Sequence, residues 1–218
     1  ALLALALVAA SAEGDGAVVE VNGIVLRADG GFQPQSLPRH RFAPISFHGH
    51  VDIAAKGGGM PSPLREAVVE FDRDGKLTVD GLPECPPEAI AHASVAEARR
   101  VCAGAIVGTG HVEAAIALPG EIVRGTSELT IFNGPRLPSG PSVVLHARNP
   151  VPTPETLAIL APIERQKGAF RYRVSIRFPA IAGGSGALTH VDFKVGRHYR
   201  SGGRSRSYVA ARCSDNVQ

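Results

Sequence analysis

Strict alternation of apolar and polar positions recurs along this chain, and a two-residue period marks a strand with one buried face. The clearest case spans residues 170–178. Phe170, Tyr172, Val174, Ile176 and Phe178 point one way, and Arg171, Arg173, Ser175 and Arg177 the other. Residues 45–53 alternate in the same way, with Ile45, Phe47, Gly49, Val51 and Ile53 opposite Ser46, His48, His50 and Asp52. Residues 67–71 and 76–80 flank the turn Asp72-Arg73-Asp74-Gly75 and read as a hairpin. Strand-like runs also cover 17–21, 24–26, 105–107, 111–118, 122–132, 142–147, 157–163, 188–195 and 207–211. Gly108 and Gly110 interrupt one of them and predict a bulge or a close backbone approach.

One stretch departs from this period. Ser94 and Glu97 have capping-box spacing, and Val95, Ala98 and Cys102 share one face of a short helix. Arg99 and Arg100 fall in its last turns, where positive charge suits the carbonyl end. So short a helix is marginal alone. Cys85 and Cys102 bracket it, and a disulfide between them would hold it down by about 3 kcal/mol on loop entropy. The expected fold is therefore all-β: a single antiparallel β-sandwich of about ten or eleven strands, with one short helix in a disulfide-closed insert.

Residues 1–12 are uncharged and apolar and end in Ala10-Ser11-Ala12, which reads as the C-terminal part of a secretory signal peptide. That run is too short to span a bilayer, and no transmembrane span is expected after cleavage. Residues 13–37 read as a Gly-rich, partly ordered lead-in, and residues 38–218 as the β-sandwich domain. The net charge of +3 hides an asymmetry. Residues 1–164 carry 12 basic and 18 acidic side chains, and residues 165–212 carry 11 basic and one acidic.

Several phrases stand in a recognisable order. They are Phe71-Asp72-Arg73-Asp74-Gly75 with Gly81-Leu82-Pro83-Glu84-Cys85, then Cys102 through Gly110, Phe132-Asn133-Gly134, and Asn149 through Thr153. Val195 through Arg200 then leads into Ser207 through Cys213. In this order the chain resembles a family of uncharacterised secreted β-sandwich proteins from GC-rich actinobacteria, to which no activity attaches. The resemblance implies a further hairpin and a late cysteine beyond Cys213. The domain is then expected to be truncated at its C-terminus, with Cys213 lacking its partner and one sheet edge exposed.

Candidate chemistry is sparse. His48 and His50 lie on one strand face beside Asp52, and strand-borne His-x-His chelates zinc when a neighbour brings a third ligand. His92, His111, His146 and His190 are all available, and spacing selects none of them. No cofactor or metal is expected. Gly183-Gly184-Ser185-Gly186 lacks the context of a nucleophile elbow, and no glycine run is followed by the Lys-Ser/Thr of a phosphate loop. Asp72 and Asp74 offer too few oxygens for calcium. Arg171, Arg173 and Arg177 form a row suited to an anionic ligand, extended by Arg165, Lys167, Arg197, Arg200, Arg204 and Arg206. Nucleic acid is not expected, because stacking aromatics are few.

The expectation is a secreted, non-catalytic extracellular or cell-envelope protein that binds an anionic cell-wall or extracellular glycan through this basic face. Two alternatives stand beside it: a secreted hydrolase with a His/carboxylate site near His48, and a structural module of a larger extracellular assembly.

Overall fold

The structure is a computed structural model and describes residues 2–5, 16–149 and 154–214. Strand β1 (Leu2–Leu5) is followed by the hairpin of β2 (Ala17–Val21) and β3 (Ile24–Gln33). Asn22 and Gly23 make its turn with φ of 52° and 77°, the left-handed pair that a two-residue hairpin favours. Next come β4 (Ala43–Pro44), β5 (Ser46–Ala55), β6 (Glu66–Asp72) and β7 (Gly75–Leu77). Helix α1 (Val95–Val101) precedes a meander of β8 (Ile106–Leu118), β9 (Glu121–Asn133), β10 (Ser142–Asn149), β11 (Glu155–Arg165) and β12 (Phe170–Arg177). Strand β13 (Gly186–Val195), the hairpin β14 (His198–Ser201) and β15 (Arg204–Ser207), and β16 (Val209–Ala211) complete the order.

The all-β, mainly antiparallel architecture with one short helix in a disulfide-closed insert is what the chain adopts. Its packed layers belong to one continuous sheet, ordered β1-β6-β12-β11-β10-β9-β8-β13-β5-β3-β2. Every pairing in it is antiparallel except β1 with β6. The sheet curls until β5 faces β6, where the Phe47 and Phe71 rings meet edge to face at 5.5 Å. Gly49 and Gly110 permit the tight packing within it. A Cβ on Gly49 would lie 2.6 Å from the Phe193 ring, and one on Gly110 2.0 Å from the Asp192 carbonyl. The interruption at Gly108 is the expected bulge, with a register shift between Ile106 and Gly108.

The second half of β9 and the first half of β10 are covered on both faces. Phe132 and Val144 point outward and are wholly buried under the insert, together with Ile90, Ala98, Cys85 and Cys102. The disulfide joins Cys85 to Cys102 across a Cα–Cα distance of 5.6 Å. The Ser94 hydroxyl accepts from the Glu97 N–H at 3.2 Å, which is the expected cap. Burying Phe132, Ile90 and Val144 contributes roughly 1.5–3 kcal/mol each. His146 is buried in the same layer, its Nε2 3.2 Å from the Ala93 carbonyl, which removes it from the possible metal ligands.

Two segments differ from expectation. Residues 17–33 belong to the main sheet and do not form a loose lead-in: Ile24, Leu26 and Ala28 are buried, and β3 pairs with β5 along its whole length. Gly30 allows this, since a Cβ there would lie 2.7 Å from the His48 carbonyl. Likewise β7 does not return along β6 but joins a small sheet, β4-β16-β7. Asp74 diverts it. Its carboxylate accepts from Arg212 Nε at 2.8 Å and from the Ser214 N–H at 2.7 Å. These bonds hold the Asp74 carboxyl below its usual pKa against the opposing effect of burial. Of the N-terminal run, Leu2–Leu5 pairs beside Glu66–Val69, while the Ala10-Ser11-Ala12 site lies outside the described residues. Cys213 is exposed, takes no part in the disulfide, and donates its N–H to the Pro38 carbonyl at 3.2 Å.

Replacing Cys85 and Cys102 together by Ala is expected to lower unfolding free energy by about 3 kcal/mol, read from urea denaturation monitored by circular dichroism. A second expectation concerns pH. Burial pushes the His146 imidazole down, and the Ala93 and Ile90 carbonyls only partly oppose this. The unfolded chain then binds the extra proton, so stability is present above the ordinary histidine pKa and is lost as pH falls below it. Between about pH 7 and about pH 5 the wild type should lose more stability than His146→Gln, measured by denaturation at each pH.

Candidate functional site

The curled sheet surrounds a partly open cavity of about 250 Å³. Its wall is almost wholly apolar, built from inward positions of eight strands of the main sheet with residues of β7 and β16, and including Phe47, Leu145, Ile159, Ile176, Val191 and Phe193. Alternation places these side chains there, since each faces inward while its neighbours in sequence face out. One packed cluster gathers Ile24, Leu26, Ile53, Ile181 and Leu188. A second gathers Leu82, Val107, Val195 and Tyr208, and it runs into the cavity wall through Leu129 and Ile131. Two phenols belong to the wall. The Tyr172 hydroxyl accepts from the Leu77 N–H at 3.3 Å. The Tyr208 hydroxyl has no hydrogen-bond partner among the described residues, and burial pushes its pKa far up, so it stays protonated.

The convex face carries the polar chemistry. Across β5 and β13, Asp52 pairs with His190 and His50 with Asp192, and His111 on β8 pairs with Asp192 from the other side. His190 Nδ1 lies 2.8 Å from Asp52 Oδ1, and His50 Nε2 lies 3.3 Å from Asp52 Oδ2. The hydrogen bond from His190 and the charge of both imidazoles hold the Asp52 carboxyl below its usual range despite partial burial. Burial alone would lower the His190 pKa, but its bond to Asp52 and the nearby charges of Asp52, Glu113 and Asp192 raise it. Beside this cluster is an open depression lined by His48, His50, His111, Arg99, Glu128 and Asp192, among others. Helix α1 delivers Arg99, whose Nε donates to Thr130 Oγ1 at 2.9 Å and whose Nη1 meets Glu128 at 2.7 Å.

The sequence-derived candidates separate on this frame. His50 joins Asp52 and His190. His48 lies further along β5, opposite Lys194, and His92 is exposed near the insert. In the arginine row, Arg173 sits between Glu70 and Glu164 on the flanking strands. Arg177 faces Glu66 at 3.7 Å. Arg171 donates to the Gly75 carbonyl at 3.2 Å and lies over the Phe42 ring. Of the row, only Arg177 has a carboxylate within ion-pair distance among the described residues, and the Arg173 Nε is buried without a hydrogen-bond partner. Arg200, Arg204 and Arg206 on the β14–β15 hairpin likewise have no carboxylate within ion-pair distance among the described residues.

The chain matches no family model, no curated protein and no solved structure. Among the described residues no helix is long and apolar enough to cross a membrane. The cavity was not anticipated from the sequence, although the scarcity of aromatic residues, 5% of the chain, is the composition that leaves such a space.

Removing Arg99 leaves the fully buried Thr130 hydroxyl without its donor. Arg99→Ala is expected to cost about 1–3 kcal/mol, read by urea denaturation, with the β-sheet signal unchanged.

Proposed function

We propose that the protein is an exported, non-catalytic binding protein that holds a small apolar molecule inside its curled sheet. The observation that carries this reading is the 250 Å³ cavity with its apolar wall. Apolar wall left facing water forgoes about 25 cal/mol per Å² of burial, so a guest that covers it is stabilised. Larger aliphatic or aromatic residues would fill the space, and the chain carries few aromatic ones. A void of about 150 Å³ takes benzene, which scales here to a ligand of about ten non-hydrogen atoms. Export is supported by the disulfide, which persists in oxidising surroundings, and by the apolar N-terminal run ending in small residues.

One observation favours a second reading, the anionic glycan partner. The β14–β15 hairpin presents Arg200 and Arg204 exposed, with no acid paired to them. Heparin affinity that survives Arg200→Glu with Arg204→Glu removes that reading.

The cavity reading is tested with naphthalene, whose fluorescence reports transfer into an apolar site. Saturable 1:1 binding at micromolar concentration and a raised unfolding temperature are expected. Leu145→Phe should abolish that binding while raising stability by about 1 kcal/mol, because the added ring occupies the void. Absence of saturable binding together with a destabilised Leu145→Phe would show that the interior tolerates no guest.

A further inference from the structure

His50, Asp52 and His190 each present one ligand atom, and these atoms all lie within 4.8 Å of one another. Two properties of the sheet bring them together. His50 and Asp52 are two positions apart on β5, so both project from the same face. His190 is the direct cross-strand partner of Asp52 on β13. The backbone beneath them is hydrogen-bonded on both sides, β5 by β3 and β13, and β13 by β5 and β8. Ligands on rigid adjacent strands are held more closely than ligands on loops.

The separations suit a small cation. In a tetrahedral zinc site with bonds near 2.0–2.1 Å, neighbouring ligand atoms lie about 3.3–3.4 Å apart. His50 Nε2 and Asp52 Oδ2 are already 3.3 Å apart, and His190 Nδ1 is 2.8 Å from Asp52 Oδ1. The His50 and His190 rings stand edge to face at 4.5 Å between centroids, and their ligand atoms lie within 4.8 Å of each other. A carboxylate also stands near the far nitrogen of one ligand. If Nδ1 of His190 faces the ion, its Nε2 lies 3.6 Å from Asp192 Oδ2, just beyond hydrogen-bond distance of the group that would orient a metal-bound imidazole. His111 steadies Asp192 from β8, its Nδ1 3.7 Å from Oδ1.

We propose that His50, Asp52 and His190 form a binding site for a divalent transition-metal ion, with zinc the best match. The donor set of two imidazoles and one carboxylate selects zinc and its neighbours over calcium or magnesium, which take oxygen ligands. All three side chains are partly exposed, so the fourth coordination position faces solvent. It opens beside the depression that His48, His111 and Arg99 also line. A small anion or a carboxylate from outside the chain completes the coordination there. This site lies on the convex face of the sheet and is independent of the apolar cavity.

The test uses the whole chain carrying Cys213→Ser, which removes the one thiol outside the disulfide. Calorimetric titration with Zn²⁺, and Co²⁺ absorption as a geometric readout, should give one ion per chain with a Kd of about 10 µM or tighter. His190→Gln and Asp52→Asn should each weaken zinc by at least about 100-fold, beyond the loss usual for an outer partner. Should either variant fail to fold, histidine Cε1–H NMR of the parent chain decides the matter. The His50 and His190 signals should move on adding zinc, and His92 and His198 should not. Kd values above about 1 mM for both ions, equal binding of Ca²⁺, or zinc-induced shifts confined to other histidines would overturn the proposal.

Discussion

A strand that carries large apolar side chains on each face has to be covered twice, and in the adjoining halves of β9 and β10 that requirement organises the molecule. Their outward residues Phe132 and Val144 are covered by a chain segment too short and too weakly helical to stay folded alone. The Cys85–Cys102 bond supplies what the segment lacks, and the helix it retains carries Arg99 across to Thr130 and Glu128. Their inward residues are covered differently. The sheet curls over them until Phe47 meets Phe71, and an apolar space stays between the facing strands. The outer layer is tightly packed and the inner one keeps a cavity.

That division gives the two faces different chemistry. Inward positions across eight strands of the main sheet, joined by residues of β7 and β16, share an almost unbroken apolar wall, which suits an uncharged guest. Outward positions on β5, β13 and β8 alternate imidazole and carboxylate, and cross-strand register sets them side by side. Glu66, Glu70 and Glu164 sit opposite the arginines of β12 in strand register, whereas the β14–β15 hairpin carries its arginines with no acid beside them among the described residues.

What was legible in the sequence was local. Alternation at 45–53 and 170–178 located strands and assigned their faces, because side-chain period is a property of the backbone alone. Ser94, Glu97 and the cysteine spacing located the helix and its clamp for the same reason. Pairings between distant strands were not legible. His190 was one of four possible partners for His48 and His50, and only the register of β13 on β5 selects it, beside His50 and not His48. The carboxylates that flank Arg173 come from β6 and β11, which no spacing within β12 reveals. The Asn22-Gly23 turn was written in the sequence in plain form, and weighing it would have placed β2 and β3 in the main sheet.

The most direct measurement of the central claim is a crystal structure under xenon pressure, since xenon enters dry apolar voids without needing a hydrogen bond. The account predicts ordered xenon among Phe47, Leu145, Ile159 and Phe193, with the sheet curled as described. An interior in which those side chains close on one another and admit no xenon would contradict it.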